Sequence, residues 1–111
     1  MPPIALLKSV FGYDAFRPGQ EEIISAISTG ENVLAIMPTG SGKSLCYQVP
    51  ALARDGLTLV ISPLVALMRD QVSALKQNGV AAGALTSATG EEERNELLGQ
   101  LRNHTLKHLY M

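Results

Sequence analysis

The chain has 111 residues, of which 46% are hydrophobic and 17% are charged, as expected of one small globular domain or part of one and not of a disordered chain. The single cysteine, Cys46, excludes a disulfide framework and a multi-cysteine zinc site. The net charge of −1 predicts no bulk attraction to nucleic acid, and no apolar run approaches the ~18 residues of a membrane helix, so we expect no membrane partner.

The first half of the chain is predicted to hold three helices and one strand. Apolar residues spaced three and four apart predict a helix over Ile4–Phe11, and Pro18 is suited to open a second helix. The apolar run Asn32–Met37 is too short for a helix and predicts a strand buried on both faces. A glycine-rich loop then leads into a helix over Lys43–Arg54, which Pro50 should kink.

The second half alternates predicted strands with predicted helices. Buried strands are expected over Leu57–Ile61 and Val80–Thr86, and a further strand begins at Lys107. This alternation predicts an α/β fold, a parallel sheet with right-handed crossovers and helices on both faces. Because the sequence stops inside the last element, we expect the domain to be incomplete.

The starts of the two helices in the second half carry capping signals. Ser62 and Pro63 are suited to the N-cap and the first helical position, and Thr89 with Glu92 fits a capping box. The apolar side chains predicted to face the core are Leu64, Leu67, Met68, Val72 and Leu75 in the first of these helices and Leu97, Leu98 and Leu101 in the second.

The segment Met37–Ser44 lies between a predicted strand and a predicted helix, which is the context of a phosphate-binding loop. Gly40 and Gly42 would let successive N–H groups converge on an anion, and the helix N-terminus adds partial positive charge. Lys43 is predicted to reach the β- and γ-phosphates and the Ser44 hydroxyl to hold Mg²⁺. A lysine in the first helical turn opposes the helix dipole unless an anion lies in front of it.

Other features have simpler explanations. An ordinary glycine-rich turn is the alternative to a phosphate loop, and position 37 holds Met where the general pattern has Gly. Cys46 is expected to be a small core residue. His104 and His108 have the spacing of metal ligands on a helix, but no thiol or carboxylate completes a set, so we expect no metal site there.

Several blocks together resemble the RecQ-type DNA helicases of superfamily 2, a group in which Met is usual at position 37. Phe11–Gln20 resembles the adenine-recognition segment of that family, and Pro38–Leu52 resembles its motif I. Ser62–Val72 is similar to motif Ia and Leu85–Ser87 to motif Ib. The blocks keep the family's order and spacing over nearly the whole chain, which is far more specific than a phosphate loop alone.

The resemblance implies a role for particular residues. Gln20 would read the adenine edge, with Tyr13 and Arg17 flanking the ring, while Lys43 and Ser44 would serve catalysis. The residues implied to bind ATP are completed by Pro38, Thr39, Gly40, Ser41, Gly42, Lys43, Ser44 and Leu45. Those implied to contact DNA are Ser62, Pro63, Leu64, Arg69, Thr86 and Ser87.

The resemblance also implies a P-loop NTPase of the RecA-like kind, acting as an ATP-dependent 3′-to-5′ helicase on single-stranded or forked DNA in repair and recombination. Residues 1–30 would form a helical segment with the adenine motif, and residues 31–111 part of the ATP-binding domain. The family's acidic motif II and second RecA-like domain have no counterpart here, so the chain alone is expected to be inactive. Its expected location is the cytoplasm, with the nucleoid in a bacterium, or the nucleus in a eukaryote.

Two other functions stay open. A generic P-loop nucleotide-binding domain, such as a kinase or a switch GTPase, would share the phosphate loop without the adenine segment. A non-catalytic DNA-binding remnant would bind DNA and not ATP. Titrations of ATP and of DNA on the same sample distinguish the three possibilities.

Overall fold

The computed structural model describes residues 2–36 and 43–111. The chain forms two compact units, Met1–Asp55 and Gly56–Met111. The division at residue 30, drawn from the motifs, stays a prediction.

The first unit begins with a helix that changes its winding. Helix α1 spans Pro3–Leu6 and continues as a π-helical turn over Leu7–Phe11, which ends at Gly12 with φ of 77°. The helix predicted over these residues is therefore confirmed in position, but its second half is wound more loosely than an α-helix.

The next two helices are shorter than predicted. Helix α2 spans Gln20–Ser28, two residues later than the start predicted at Pro18, because Gly19 adopts a left-handed φ of 87° that no α-helix contains. Helix α3 spans Leu45–Ala53 and holds Pro50 within it, as predicted.

A small apolar core joins these three helices. Leu6, Leu7, Ile24 and Val49 are buried together, and α1 and α2 both contact α3. Around this core pack partly buried side chains, namely Val10, Phe11, Phe16, Leu45, Leu52 and Ala53. The segment before Gln20 and the helix after the phosphate loop thus belong to one packed body.

The strand predicted over Asn32–Met37 is wrong for its described residues. Residues 32–36 have no regular secondary structure, and Leu34 and Ile36 are 90% and 91% exposed. A strand depends on a neighbouring strand for its hydrogen bonds. Among the described residues, the first unit contains no other strand, so this apolar run has no ladder to join.

The second unit contains a parallel sheet, as predicted. Strands β1 (Thr58–Val60), β2 (Ala82–Ala84) and β3 (His108–Tyr110) pair in the order β1-β3-β2. Leu109 lies opposite both Leu59 and Gly83, so these three residues share one face of the sheet. The last strand of the chain is therefore the central one, and the α/β class is confirmed.

Two helices accompany this sheet. Helix α4 spans Val65–Gln77 and contacts β2, and helix α5 spans Glu91–Arg102. Leu97 of α5 is buried with Leu106 and Leu109, on the face of the sheet that Gly83 shares. Leu97 packs so closely on Gly83 that no Cβ fits between them.

Several side chains predicted to be buried are exposed. In and beside β1, which has one partner strand among the described residues, Leu59 is 55% and Ile61 82% exposed. In α4, Met68, Val72 and Leu75 are buried as predicted, whereas Leu64 and Leu67 are 58% and 44% exposed. In α5, Leu97 is buried, Leu101 partly buried and Leu98 37% exposed.

Both predicted caps are wrong in detail. Helix α4 begins at Val65 with Leu64 as its N-cap, since the Ser62 hydroxyl accepts the Leu64 N–H at 3.2 Å in a tight turn of its own. Helix α5 begins at Glu91 after Gly90. The Thr89 hydroxyl instead donates to the Ala84 carbonyl at 2.9 Å, which ties the loop to the end of β2.

Candidate functional site

The described part of the phosphate loop lies at the start of α3. Residues Pro38, Thr39, Gly40, Ser41 and Gly42 lie outside the described residues. The Lys43 carbonyl accepts the Cys46 N–H at 3.1 Å, and the Ser44 carbonyl accepts the Gln48 N–H at 3.0 Å. Lys43 and Ser44 therefore precede α3 directly, and the helix begins at Leu45, two residues later than the predicted start at Lys43.

Lys43 lies beside an apolar cavity of about 340 Å³. The cavity also has walls from α2, from the segment before the loop and from α3, and these residues are Ile23, Ile27, Val33, Ala35, Cys46 and Tyr47. Burial raises the pKa of the Cys46 thiol, which keeps this neighbour of the loop uncharged at neutral pH. Nothing in the sequence indicated that Ile23 and Ile27 of α2 line a cavity with Lys43.

The adenine segment places its three predicted residues in different environments. Gln20 is 1% exposed, and its Oε1 accepts the Arg17 backbone N–H at 2.7 Å. This bond fixes the side-chain oxygen of Gln20 and brings Arg17 and Gln20 together. Tyr13 is 51% exposed, and its backbone N–H donates to the Leu7 carbonyl at 3.2 Å.

Arg17 also borders an open groove of about 680 Å³ along α2. Three carboxylates line this groove with Arg17, from Glu21, Glu22 and Glu31. Glu21 and Glu22 lie in the first turn of α2, where the helix dipole favours anions. Glu31 lies beyond the end of α2 and joins them in the lining of the groove.

The residues predicted to contact DNA follow the carboxyl ends of parallel strands. Ser62 comes after β1 and Thr86 after β2, and these ends lie at the same edge of the sheet. Ligands of open α/β sheets bind beyond this edge. The Ser62 N–H donates to the Met111 carbonyl at 3.0 Å, which fixes the loop against the end of β3.

Two hydroxyls at this edge share one geometry. The Ser62 Oγ accepts the N–H of Leu64 at 3.2 Å, and the Thr86 Oγ1 accepts the N–H of Ala88 at 3.1 Å. In both turns the hydroxyl oxygen accepts a backbone N–H, and the hydroxyl hydrogen can still be donated. Nearby, the exposed residues among those predicted to contact DNA are Pro63, Leu64, Arg69 and Ser87.

In residues 2–36 and 43–111, no three His, Cys, Asp or Glu side chains form a group able to hold a metal ion. None of the described helices combines the length and the apolar character needed to cross a bilayer.

Comparison with known proteins agrees with the order of these motifs. The DEAD/DEAH box helicase family model matches residues 17–111. The chain is 53% identical to the ATP-dependent DNA helicase RecQ of Haemophilus influenzae, over 97% of this chain and 17% of the relative. It is 45% identical to the ATP-dependent DNA helicase RecQ of Bacillus subtilis, over 96% of this chain and 18% of the relative.

A third RecQ helicase, from Synechocystis, is 47% identical over 95% of this chain and 22% of its own length. The chain thus spans less than a quarter of the length of these curated relatives. The family match covers the adenine segment from Arg17, the phosphate loop and the edge of the sheet at Ser62 and Thr86. The chain belongs to the DEAD/DEAH box helicase family, and within it to the RecQ type.

Proposed function

We propose that the chain binds ATP through the phosphate loop, with Lys43 on the β- and γ-phosphates. The observation that carries this proposal is the position of Lys43, an exposed cation immediately before the N-terminus of α3. A cation there is unfavourable beside the helix dipole and becomes favourable once an anion occupies the loop. The loop residues Pro38 to Gly42 would supply backbone N–H groups, and Leu45 begins the helix behind them.

The adenine segment, Phe11–Gln20, would determine which nucleotide the chain prefers. The Gln20 amide is suited to the adenine edge, which offers both a donor and an acceptor. Tyr13 and Arg17 are both exposed residues, and a phenol ring and a guanidinium both stack on flat π-systems. The bond from the Arg17 N–H to Gln20 would hold the amide in one orientation before the nucleotide arrives.

Mg²⁺ fits this site as a companion of the nucleotide. Ser44 offers one hydroxyl oxygen at the start of α3, and Mg²⁺ is commonly bound by few protein ligands together with substrate phosphates and water. When bound, the ion would neutralise charge on the β- and γ-phosphates. Ser44 is the described residue that would hold it.

Single-stranded DNA would bind at the carboxyl edge of the sheet. The hydroxyls of Ser62 and Thr86 would donate to phosphate oxygens, since the N–H groups of Leu64 and Ala88 are already bonded to these hydroxyl oxygens. Pro63, Leu64 and Ser87 would form the surface around these hydroxyls, and Arg69 would add a positive charge.

Together these sites support a part in an ATP-dependent 3′-to-5′ DNA helicase that acts on single-stranded or forked DNA. The relatives bear the name ATP-dependent DNA helicase, and this activity is proposed for the protein to which the chain corresponds. A role in DNA repair and recombination, and a location with the DNA in the cytoplasm or the nucleus, follow from that proposal.

The ATP site is tested by titrating ATP in the presence of Mg²⁺ into the chain and into Lys43→Ala. We expect binding by the unaltered chain and at least tenfold weaker binding by Lys43→Ala, because a charge-assisted contact to phosphate is worth about 1.5–3 kcal/mol. Lys76→Ala, at an exposed lysine in the last turn of α4, is the matched control and should bind normally. Equal binding by Lys43→Ala would refute the proposal.

The DNA site is tested by the salt dependence of binding to a labelled single-stranded oligonucleotide. We expect weak binding with a steep salt slope, to which each contacted phosphate contributes about 0.7. Ser62→Ala and Thr86→Ala should weaken binding, whereas Ser73→Ala, at an exposed serine of α4, should not. Tight DNA binding whose affinity does not change with salt concentration would exclude a phosphate site.

A further inference from the structure

The π-helical turn over Leu7–Phe11 is a structural feature that the proposed function does not yet explain. In this turn the Gly12 N–H reaches back five residues to the Leu7 carbonyl. The same carbonyl also accepts the Tyr13 N–H at 3.2 Å. Two successive backbone groups, one of them in the residue proposed to stack on adenine, are thus held by a single oxygen.

Leu7 is itself fixed by the core of the first unit. Its side chain is fully buried with Ile24 of α2 and Val49 of α3. Ile24 lies one helical turn after Gln20 on the same face of α2, and Val49 lies one turn after the first residue of α3. Leu7 therefore connects the backbone of Tyr13 with the helix of Gln20 and the helix that follows the phosphate loop.

The extra residue in the turn has a geometric consequence. An α-helical turn would close one residue earlier, which would rotate the residues that follow by about 100° relative to Leu7. The π turn closes at Gly12, whose φ of 77° lets the chain leave the helix abruptly. Tyr13 follows the turn as a half-exposed residue, while its backbone N–H stays bonded to the Leu7 carbonyl.

We propose that the π turn closed by Gly12 positions the Tyr13 ring for stacking on the adenine of the bound nucleotide. Gly12 and Leu7 are then positioning residues that act through Tyr13 and do not touch the nucleotide themselves. This inference rests on the proposed ATP site. It adds that the π turn determines how much the adenine base contributes to the affinity for ATP.

The test measures how much the base adds to affinity, as the ratio of the ATP affinity to the affinity for inorganic triphosphate. Gly12→Ala puts a side chain at a positive φ without any steric contact. Gly30→Ala is the matched control, since its φ is 90° and its surroundings are equally open, but it lies after α2 and does not hold Tyr13. Both changes strain the backbone alike and should lower the melting temperature by a comparable amount, about 4–8 °C.

We expect Gly12→Ala to lower this ratio by about fivefold or more, the loss typical of one stacked base, with triphosphate affinity unchanged. Gly30→Ala should leave the ratio unchanged. In a Tyr13→Leu background Gly12→Ala should have no further effect on the ratio, because the two residues act in series.

Three results would overturn the inference: an unchanged ratio in Gly12→Ala, an equal fall in Gly30→Ala, or an undiminished effect of Gly12→Ala in the Tyr13→Leu background. A failure of the ATP site itself is distinguishable from these results. In that case the unaltered chain would bind ATP no better than inorganic triphosphate, or would bind neither.

Discussion

Gln20 is the residue on which the proposed choice of nucleotide depends. Its amide is buried, and its oxygen accepts the Arg17 N–H, so the side chain has little freedom to turn toward another base. We expect Gln20→Ala to reduce the preference for ATP over GTP by about 5–150-fold, since an unpaired polar group in the site costs about 1–3 kcal/mol. Competition titrations with the two nucleotides measure this preference.

The control for this change is Gln77→Ala, at an exposed glutamine in the last turn of α4. It should keep the preference of the unaltered chain. An unchanged ratio of ATP to GTP affinity in Gln20→Ala would show that Gln20 is a structural residue of the loop and not the group that recognises adenine. Preference for GTP in the unaltered chain would favour a switch GTPase.

His108 is a residue whose importance the sequence did not indicate. It is fully buried in the central strand, and neither ring nitrogen has a hydrogen-bond partner among the described residues. Loss of solvation, followed by repulsion from Lys107, lowers the pKa of His108 from 6.5 to about 4. The unfolded chain therefore binds a proton at a higher pH than the folded chain does.

The stability that depends on neutral His108 is fully present above about pH 6.5 and is lost as the pH falls toward 4. We expect a slope of up to about 1.4 kcal/mol per pH unit over this window in the free energy of unfolding, measured with urea. His108→Leu should lose this part of the slope. His104→Asn, at an exposed histidine with a positive φ of 57°, should retain it. If the free energy of unfolding of His108→Leu had the same slope against pH as that of the unaltered chain, the slope would not come from His108.

At the scale of elements, the sequence predicted which elements exist better than where they begin. Alternation of apolar runs with helical periodicity located β1, β2 and β3 and the helices between them, because periodicity reflects burial in a sheet or on one helix face. Helix starts were less predictable, because the hydroxyls of Ser62 and Thr89 can bond to backbone groups of the loop as well as to a helix N-terminus. In both cases a bond within the loop replaced the predicted cap.

The run Asn32–Met37 shows a second limit of prediction from the sequence. Its composition suits a buried strand, but a strand also needs a neighbour, and local sequence does not specify one. The π turn shows a third limit, because its residues fit an α-helix equally well and the extra residue is apparent only from the hydrogen bonds of Leu7. For the candidate site, residue types were predictable whereas their exposure and partners were not.

The contact between β2 and α5 gives a test at this scale. Gly83 lies against the buried Leu97, so Gly83→Ala would force Leu97 or α5 to shift. We expect this change to lower the free energy of unfolding by about 1–3 kcal/mol, as overpacking of a core does. Gly99→Ala, within α5 and with open space around it, should instead raise it by about 0.5–1 kcal/mol. Denaturation with urea measures both, and a neutral Gly83→Ala would exclude the close packing of β2 on α5.

At the scale of the whole molecule, ATP binding and ATP hydrolysis depend on different groups of residues. In the proposed function, Lys43, Ser44 and the loop before them hold the phosphates. Turnover needs more, because the family's acidic motif has no counterpart among the 111 residues, which contain no Asp-Glu pair. An arginine brought to the γ-phosphate by another domain typically contributes about 10³–10⁵ in rate. We therefore expect the chain to bind ATP without hydrolysing it.

The most direct test of this account is a coupled ATPase assay on the 111-residue chain, with and without single-stranded DNA, beside an ATP titration of the same sample. We expect the chain to bind ATP and Lys43→Ala to bind it more weakly. We expect no ATP hydrolysis above the level of Lys43→Ala, either with or without single-stranded DNA. The contradicting result is DNA-stimulated turnover that disappears in Lys43→Ala, because it would show that these residues alone form a complete motor.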